Sequence, residues 1–375
     1  MPDTESPKVY FPALTGLRAV AAYLVYAHHA LPKVPVATGF FDILFQEAYM
    51  GVSLFFVLSG FLIGVRYHQF FRKGPQNAVK IFFLHRFARL YPVYLFCTVA
   101  ALLFRHDARP ESWVINLLML QGLFDSYTFS GIGVGWSLTV ELVFYALAPL
   151  VLRYWENLGL WRWTFLTLLA GVLLLALGQI PLPLGFVPDW SFLVRTTFFG
   201  RCFEFYVGIW LAKYLLTAPT AFKPNARFGL LTAGGAVGIL ACLFGLAFLR
   251  GVPPAPLTPM GTVAFHAANN YLLPLCIGAF ILGLVQEETV LSKLLGTRFA
   301  QALGHGSYLF YLAHYTFGFD ILYFHVWKNK GCVLLLLAGL SVVGYYVLEA
   351  PLRKWLLSFS KNKPYVNIPK PGRFI

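Results

Sequence analysis

Charge is scarce in this chain. Only 12% of its 375 residues are Asp, Glu, Lys or Arg, against about 25% in soluble domains. With 58% of residues hydrophobic, a soluble enzyme is excluded, because a folded globule could not hide that much apolar surface. A disordered chain is excluded for the same reason. Acidic residues are the scarcest, 15 against 29 Lys and Arg, for a net charge of +14. In so apolar a chain this excess points to basic loops facing anionic lipid, and no nucleic-acid partner is expected. The five cysteines, Cys97, Cys202, Cys242, Cys276 and Cys332, include no C-x-x-C pair. That removes a zinc site and a disulfide framework and leaves small buried hydrophobes. There is no 20–50-residue repeat and no low-complexity segment. No cleavable signal peptide is expected, because the first apolar run starts near Phe11 and contains Arg18.

Aromatic and aliphatic runs are abundant. Phe, Tyr and Trp make up 18% of the chain. A membrane helix needs about 20 mostly apolar residues. Ten segments qualify: 13–32, 49–69, 91–104, 137–153, 163–180, 198–216, 228–249, 270–286, 305–326 and 332–350. The stretch 113–124 is too short to span and reads as a re-entrant or interfacial helix. With the N-terminus inside, the outer segments hold only Lys33, Arg105, Arg109, Arg195, Arg201, Arg250, Lys328 and Lys330. Every other basic residue is inner, which supports two cytoplasmic termini. The expected architecture is all-α and polytopic, with residues 1–355 as one membrane domain and 356–375 as a basic cytoplasmic tail.

Ionisable residues inside spans are costly and are functional suspects by default. Arg18 and His29 are eleven residues apart, three helical turns plus about 20°, so they share a face about 16 Å apart along the axis. His28 points about 100° away. The second span, GVSLFFVLSGFLIG (51–64), is thinned by Gly51, Ser53, Ser59, Gly60 and Gly64, which suits close helix packing. In HRFARLYPVY (85–94), Arg86 and Arg89 stand at i and i+3 at the expected inner interface, with Pro92 at the start of the next span. A paired-Arg face suits phosphate. In GVGWSLTVELVFYALAP (133–149), Ser137, Glu141 and Tyr145 form a polar stripe at i, i+4 and i+8 toward the outer end. In GSYLFYLAHYTF (306–317), Ser307, Tyr311 and His314 face one way. Glu204 and Asp320 are intramembrane acids without a partner legible in the sequence, and Glu349 and Arg353 close the last span.

Taken together these segments resemble acyltransferase family 3, the integral membrane O-acyltransferases. The pattern of an Arg, ten residues and a His is matched by Arg18 and His29. The G-V-x-L-F-F-V-L-S-G-F-L-I segment is matched at 51–63, and R-x-x-R-L-x-P by Arg86, Arg89, Leu90 and Pro92. W-S-L-x-x-E is matched by Trp136, Ser137, Leu138 and Glu141. S-Y-x-x-Y-L-x-H is matched by Ser307, Tyr308, Tyr311, Leu312 and His314, and E-x-P by Glu349 and Pro351. Six matches in order cover nearly the whole chain. Some members carry a C-terminal extracytoplasmic hydrolase-like domain; this chain ends too soon for one and is expected to be a stand-alone member.

The resemblance implies transfer of an acyl group, usually acetyl, from acyl-CoA to a hydroxyl of a sugar or related acceptor, in a bacterial cell membrane. On that reading Arg86 and Arg89 bind the donor's phosphates, and Arg18 guides its arm. His29 acts as general base or as a covalent acyl relay. Glu141 either orients His29 or binds the acceptor. Trp136, Ser137, Tyr311 and His314 are further candidates. No metal is expected, since no two His residues stand at i, i+4. Three rivals stand beside it: a multi-span transporter or exporter of a lipid or glycan, the other class of membrane-bound O-acyltransferases with His314 as its key residue, and a bare scaffold.

Overall fold

The computed structural model describes residues 10–31, 39–73, 76–180, 184–217, 229–250 and 258–359. Lys8, Lys33, Lys223, Arg227 and nearly all of the basic tail lie outside them. The helices in chain order are α1 (Pro12–Ala30), α2 (Phe40–Gln46), α3 (Gly51–Lys73), α4 (Ala78–Phe104), α5 (Pro110–Leu117) and α6 (Trp136–Arg153). Next come α7 (Trp155–Gly178), α8 (Trp190–Thr196), α9 (Phe198–Thr217), α10 (Leu230–Arg250), α11 (Pro259–Ala267) and α12 (Leu273–Gln286). The last are α13 (Val290–Leu295), α14 (Arg298–Ala313), α15 (Phe317–Ile321), α16 (Lys330–Gly344) and α17 (Ala350–Ser358). Three π-helical turns, Ala268–Leu272, Leu322–Val326 and Tyr345–Glu349, interrupt the helical runs. The chain is an all-α polytopic membrane protein. Seven helices among the described residues are long and apolar enough to cross a membrane. The helices α1, α9 and α14 are not among them, and these three carry Arg18 with His29, Arg201 with Glu204, and Tyr311 next to His314.

The spans differ from expectation in two places that shape the site. A helix was expected from residue 91, but α4 starts at Ala78 and passes through Pro92. Charged residues at 80–89 depress the local hydropathy, and a proline reads as a boundary. Inside a membrane bundle, neighbouring helices tolerate such a proline, and here Tyr308 Oη donates to the Leu90 carbonyl at 2.9 Å. A single span was expected over 305–326. Instead α14 stops at Ala313 with His314 as its C-cap, and the chain turns through Thr316, whose hydroxyl donates back to the Leu312 and Ala313 carbonyls. The 113–124 segment, expected as a re-entrant or interfacial helix too short to span, forms the end of α5 and a 3-10 turn.

The buried α3 is the axis of the bundle, flanked by α1, α6 and α9. Its small residues are used for packing and its serines for hydrogen bonds. Gly60 lies against the Phe205 backbone of α9, Ser53 accepts from Arg201, and Ser59 donates to Glu141. On its other side α1 packs on α14. Gly304 lets them meet: a Cβ there would stand 1.8 Å from the Thr15 carbonyl oxygen. That approach brings the two histidine-bearing helix ends together.

Candidate active site

At one end of the α1–α14 pair, His29 and His314 are in contact. His29 Nδ1 lies 3.1 Å from His314 Nε2. His314 is buried, and its Nδ1 lies 2.8 Å from the Tyr311 carbonyl oxygen. A carbonyl can only accept, so His314 carries its proton on Nδ1. With both rings neutral, His314 Nε2 accepts from His29 Nδ1–H, and His29 Nε2 bears the lone pair. The chain Tyr311 C=O, His314, His29 thus fixes a base tautomer by geometry alone. His29 sits in the last turn of α1, where the helix dipole favours a positive charge. It is half-buried, and the ring of Tyr315 stacks on it at 4.3 Å between centroids and 21°. Tyr315 was not foreseen. It is 44% exposed and rests on Gly133, where a Cβ would come within 2.4 Å of its ring. His28 turns elsewhere, with Nδ1 2.8 Å from the Gln46 carbonyl oxygen.

A narrow cavity of about 50 Å³ begins one helical turn from His314. Its wall at that end is Tyr311 and Ser137, whose hydroxyls are 2.7 Å apart. Toward the other end it is lined by Ser307, Glu141, Arg18 and Arg89. Glu141 is held there by Ser59 at 2.8 Å and by the Tyr145 hydroxyl. The sequence left open whether Glu141 orients His29 or meets the acceptor near the outer end. The structure places it in the cavity shared with Arg18 and Arg89, and the group that meets His29 Nδ1 is His314. Trp136 is the first residue of α6, part-buried against the core that includes Tyr311.

Arg86 and Arg89 do not form one open clamp. Arg89 lines the cavity, while Arg86 is buried with its guanidinium 5.3–5.8 Å from the ring centroids of Tyr67, Phe82 and Tyr145. The cause is the early start of α4. The pair sits inside a packed helix and not in a loop before it. Arg86 makes no ion pair among the described residues. Glu349 closes the π-helical turn Tyr345–Glu349, buried and with Oε2 unbonded among the described residues.

Glu204 finds its partner three residues away: Arg201 grips it with two bonds of 2.8 Å. The i, i+3 spacing was a legible signal, missed because Arg201 had been placed among the outer charges. Asp320 lies part-buried in α15 and makes no ion pair among the described residues. Beyond α4, Arg109 grips Asp107 at 2.9 and 2.7 Å. That bond, with a further one from Ser112, holds the Asp107 carboxyl well below the usual carboxylate range.

A family model described as an acyltransferase domain matches residues 11–352. The chain is 25% identical to the acyltransferase MdmB of Streptomyces mycarofaciens, over 97% of this chain and 96% of that protein. It is 24% identical to the peptidoglycan O-acetyltransferase OatA of Listeria monocytogenes, over 94% of this chain. It is 25% identical to the O-acetyltransferase OatA of Staphylococcus aureus, over 93% of this chain. The chain spans little more than half of these last two, 57% and 58%. No solved structure matches it.

Proposed function

The chain belongs to this acyltransferase family and is a membrane O-acyltransferase; from that premise we propose that it moves an acyl group, acetyl by preference, from acyl-CoA to a hydroxyl of a glycosyl acceptor, with His29 as general base. The observation that carries this reading is the chain of hydrogen-bonding atoms from the Tyr311 carbonyl through His314 to His29. It leaves a lone pair on His29 Nε2 and supplies the third group that a base needs. The acceptor hydroxyl gives its proton to Nε2 as its oxygen attacks the thioester carbonyl. The C–S bond then breaks, and the proton passes from imidazolium to the departing thiolate. Nothing is oxidised, and the products are the O-acyl ester and free CoA. His314 keeps accepting from Nδ1 while the positive charge resides on His29, and the α1 dipole favours that charge. Direct transfer needs no covalent intermediate. An acyl group on His29 Nε2 is the variant the same tautomer allows.

Donor binding belongs at the other end. Arg18 and Arg89 present two guanidiniums to the cavity, which suits the phosphates of CoA. The pantetheine arm is thin and uncharged, and the Ser137, Ser307 and Tyr311 hydroxyls offer partners for its amides. The 16 Å between Arg18 and His29 is the distance the arm bridges. The cavity as it stands has room for only a few waters, so donor entry requires side chains such as Phe55 to turn. Glu141 holds charge balance between the two arginines before the donor arrives. Arg86 supports the site by fixing Tyr145, which holds Glu141. The membrane region is the domain proposed to do this work, in a bacterial cell membrane. Purified protein in nanodiscs, given radiolabelled acetyl-CoA, should release CoA thiol. No thioester cleavage with any acceptor would overturn the assignment.

A further inference from the structure

Past the end of α4, opposite the arginines, the chain folds into a concavity of about 580 Å³. This lies within the range of sites for small ligands. Its lining includes Arg105, Asp107, Arg109, Asp125, Ser126 and Phe129. Phe129 is 64% exposed, a flat apolar face set among polar groups. The Asp125 carboxylate makes no ion pair among the described residues, whereas Asp107 is occupied by Arg109. Two guanidiniums face two carboxylates, so the concavity has no net charge from these four. A site for CoA phosphates needs excess positive charge; this one lacks it. The wall also continues to the catalytic imidazole. Gly131 belongs to the concavity, Gly133 touches Tyr315, and Tyr315 stacks on His29.

We propose that this concavity is the acceptor subsite and that it takes an uncharged glycosyl ring. The C–H face of the sugar rests on Phe129. A vicinal pair of hydroxyls donates to Asp125, and Arg105 donates to ring or hydroxyl oxygens. The next hydroxyl along the glycan is then delivered past Tyr315 to His29 Nε2. Uronates and sugar phosphates gain no net attraction, because Arg105, the guanidinium outside the Arg109–Asp107 pair, is balanced by Asp125, which repels an anionic group set against it. The inference rests on the acyl-transfer reading above.

The test uses the full-length protein in nanodiscs and saturation-transfer NMR. The probes are methyl glucoside, methyl mannoside and N-acetylglucosamine, with glucuronate and glucose 6-phosphate as anionic counterparts. Saturation should reach the ring protons of at least one neutral probe and of neither anion. Phe129→Ala and Asp125→Asn should each weaken that binding at least fivefold with melting temperature unchanged, while Phe248→Ala, on the exposed face of α10, should not alter it. Binding of none of the neutral probes, preference for the anions, or full binding in both variants would overturn the proposal. Thioester cleavage is measured on the wild type in parallel. Cleavage with sugar binding indifferent to Phe129 and Asp125 sinks the subsite alone. Sugar binding through the concavity without any cleavage sinks the acyl-transfer reading and with it the acceptor role, and leaves a glycosyl-binding site.

Discussion

Replacing His314 by alanine removes the acceptor that faces His29 Nδ1 at 3.1 Å and touches neither the cavity arginines nor the acceptor concavity. In the ground state the bond is neutral and contributes about 0.5–1.5 kcal/mol net. When His29 becomes imidazolium the same bond is charge-assisted and contributes about 1.5–3 kcal/mol. Only the difference, about 1–1.5 kcal/mol, enters kcat; at 1.36 kcal/mol per tenfold in rate, kcat should fall about 5- to 13-fold. The KM for acetyl-CoA should stay within about twofold, because Arg18 and Arg89 are untouched. His314→Gln is the sharper variant. Its side-chain oxygen can accept from Nδ1–H, so it should recover part of the lost rate. The assay is radiolabelled acetyl transfer by protein in nanodiscs, with melting temperature as a control, since the buried Tyr311 carbonyl loses its side-chain donor. A loss below about threefold, or a rise in donor KM that accounts for the whole effect, would refute the reasoning and return the orienting role to Glu141.

Gly133→Ala should push the Tyr315 ring off His29, because the new methyl would stand 2.4 Å from it; transfer should drop, Tyr315→Ala should lower it to a similar extent by removing the same stack, and the double variant should be no worse than either single one. Arg89→Ala should raise the acetyl-CoA KM about 10- to 150-fold for one lost charge-assisted contact, and Arg89→Lys should not restore it fully if the contact is bidentate. Glu204→Gln should destabilise by about 3–5 kcal/mol by leaving buried Arg201 without its counter-charge, while the double change Arg201→Met with Glu204→Leu should regain most of that, read by thermal unfolding in detergent.

Much of the site was legible because helix geometry is local. The eleven-residue step from Arg18 to His29 fixes their shared face without any tertiary information. The small residues of α3 announce a close-packed helix, and it is the axis of the bundle. What stayed hidden depends on which helices meet. His29 and His314 are 285 residues apart and come together only because Gly304 lets α14 press on Thr15. The break after Ala313 was invisible to hydropathy, since the sequence stays apolar through Phe317 and Phe319. Arg86 looked interfacial because a charged stretch ending in Pro92 resembles a loop. In the fold it is a helix surface facing Tyr67, Phe82 and Tyr145. Of the Ser137, Glu141 and Tyr145 stripe, Tyr145 bonds Glu141 and Ser137 lines the same cavity, but the place of Glu141 could be set only by Ser59 across the α3–α6 contact.

Adjacent histidines of one helix offer the most direct test of the central claim. His29→Ala and His28→Ala are compared in nanodiscs for acetyl-CoA thioester cleavage and for transfer to an added glycoside. His29 meets His314, whereas His28 is turned to the Gln46 carbonyl. Loss of both activities in His29→Ala, with His28→Ala near wild type, is the predicted result. Full activity in His29→Ala would contradict the account, and so would equal losses in two variants that remain folded.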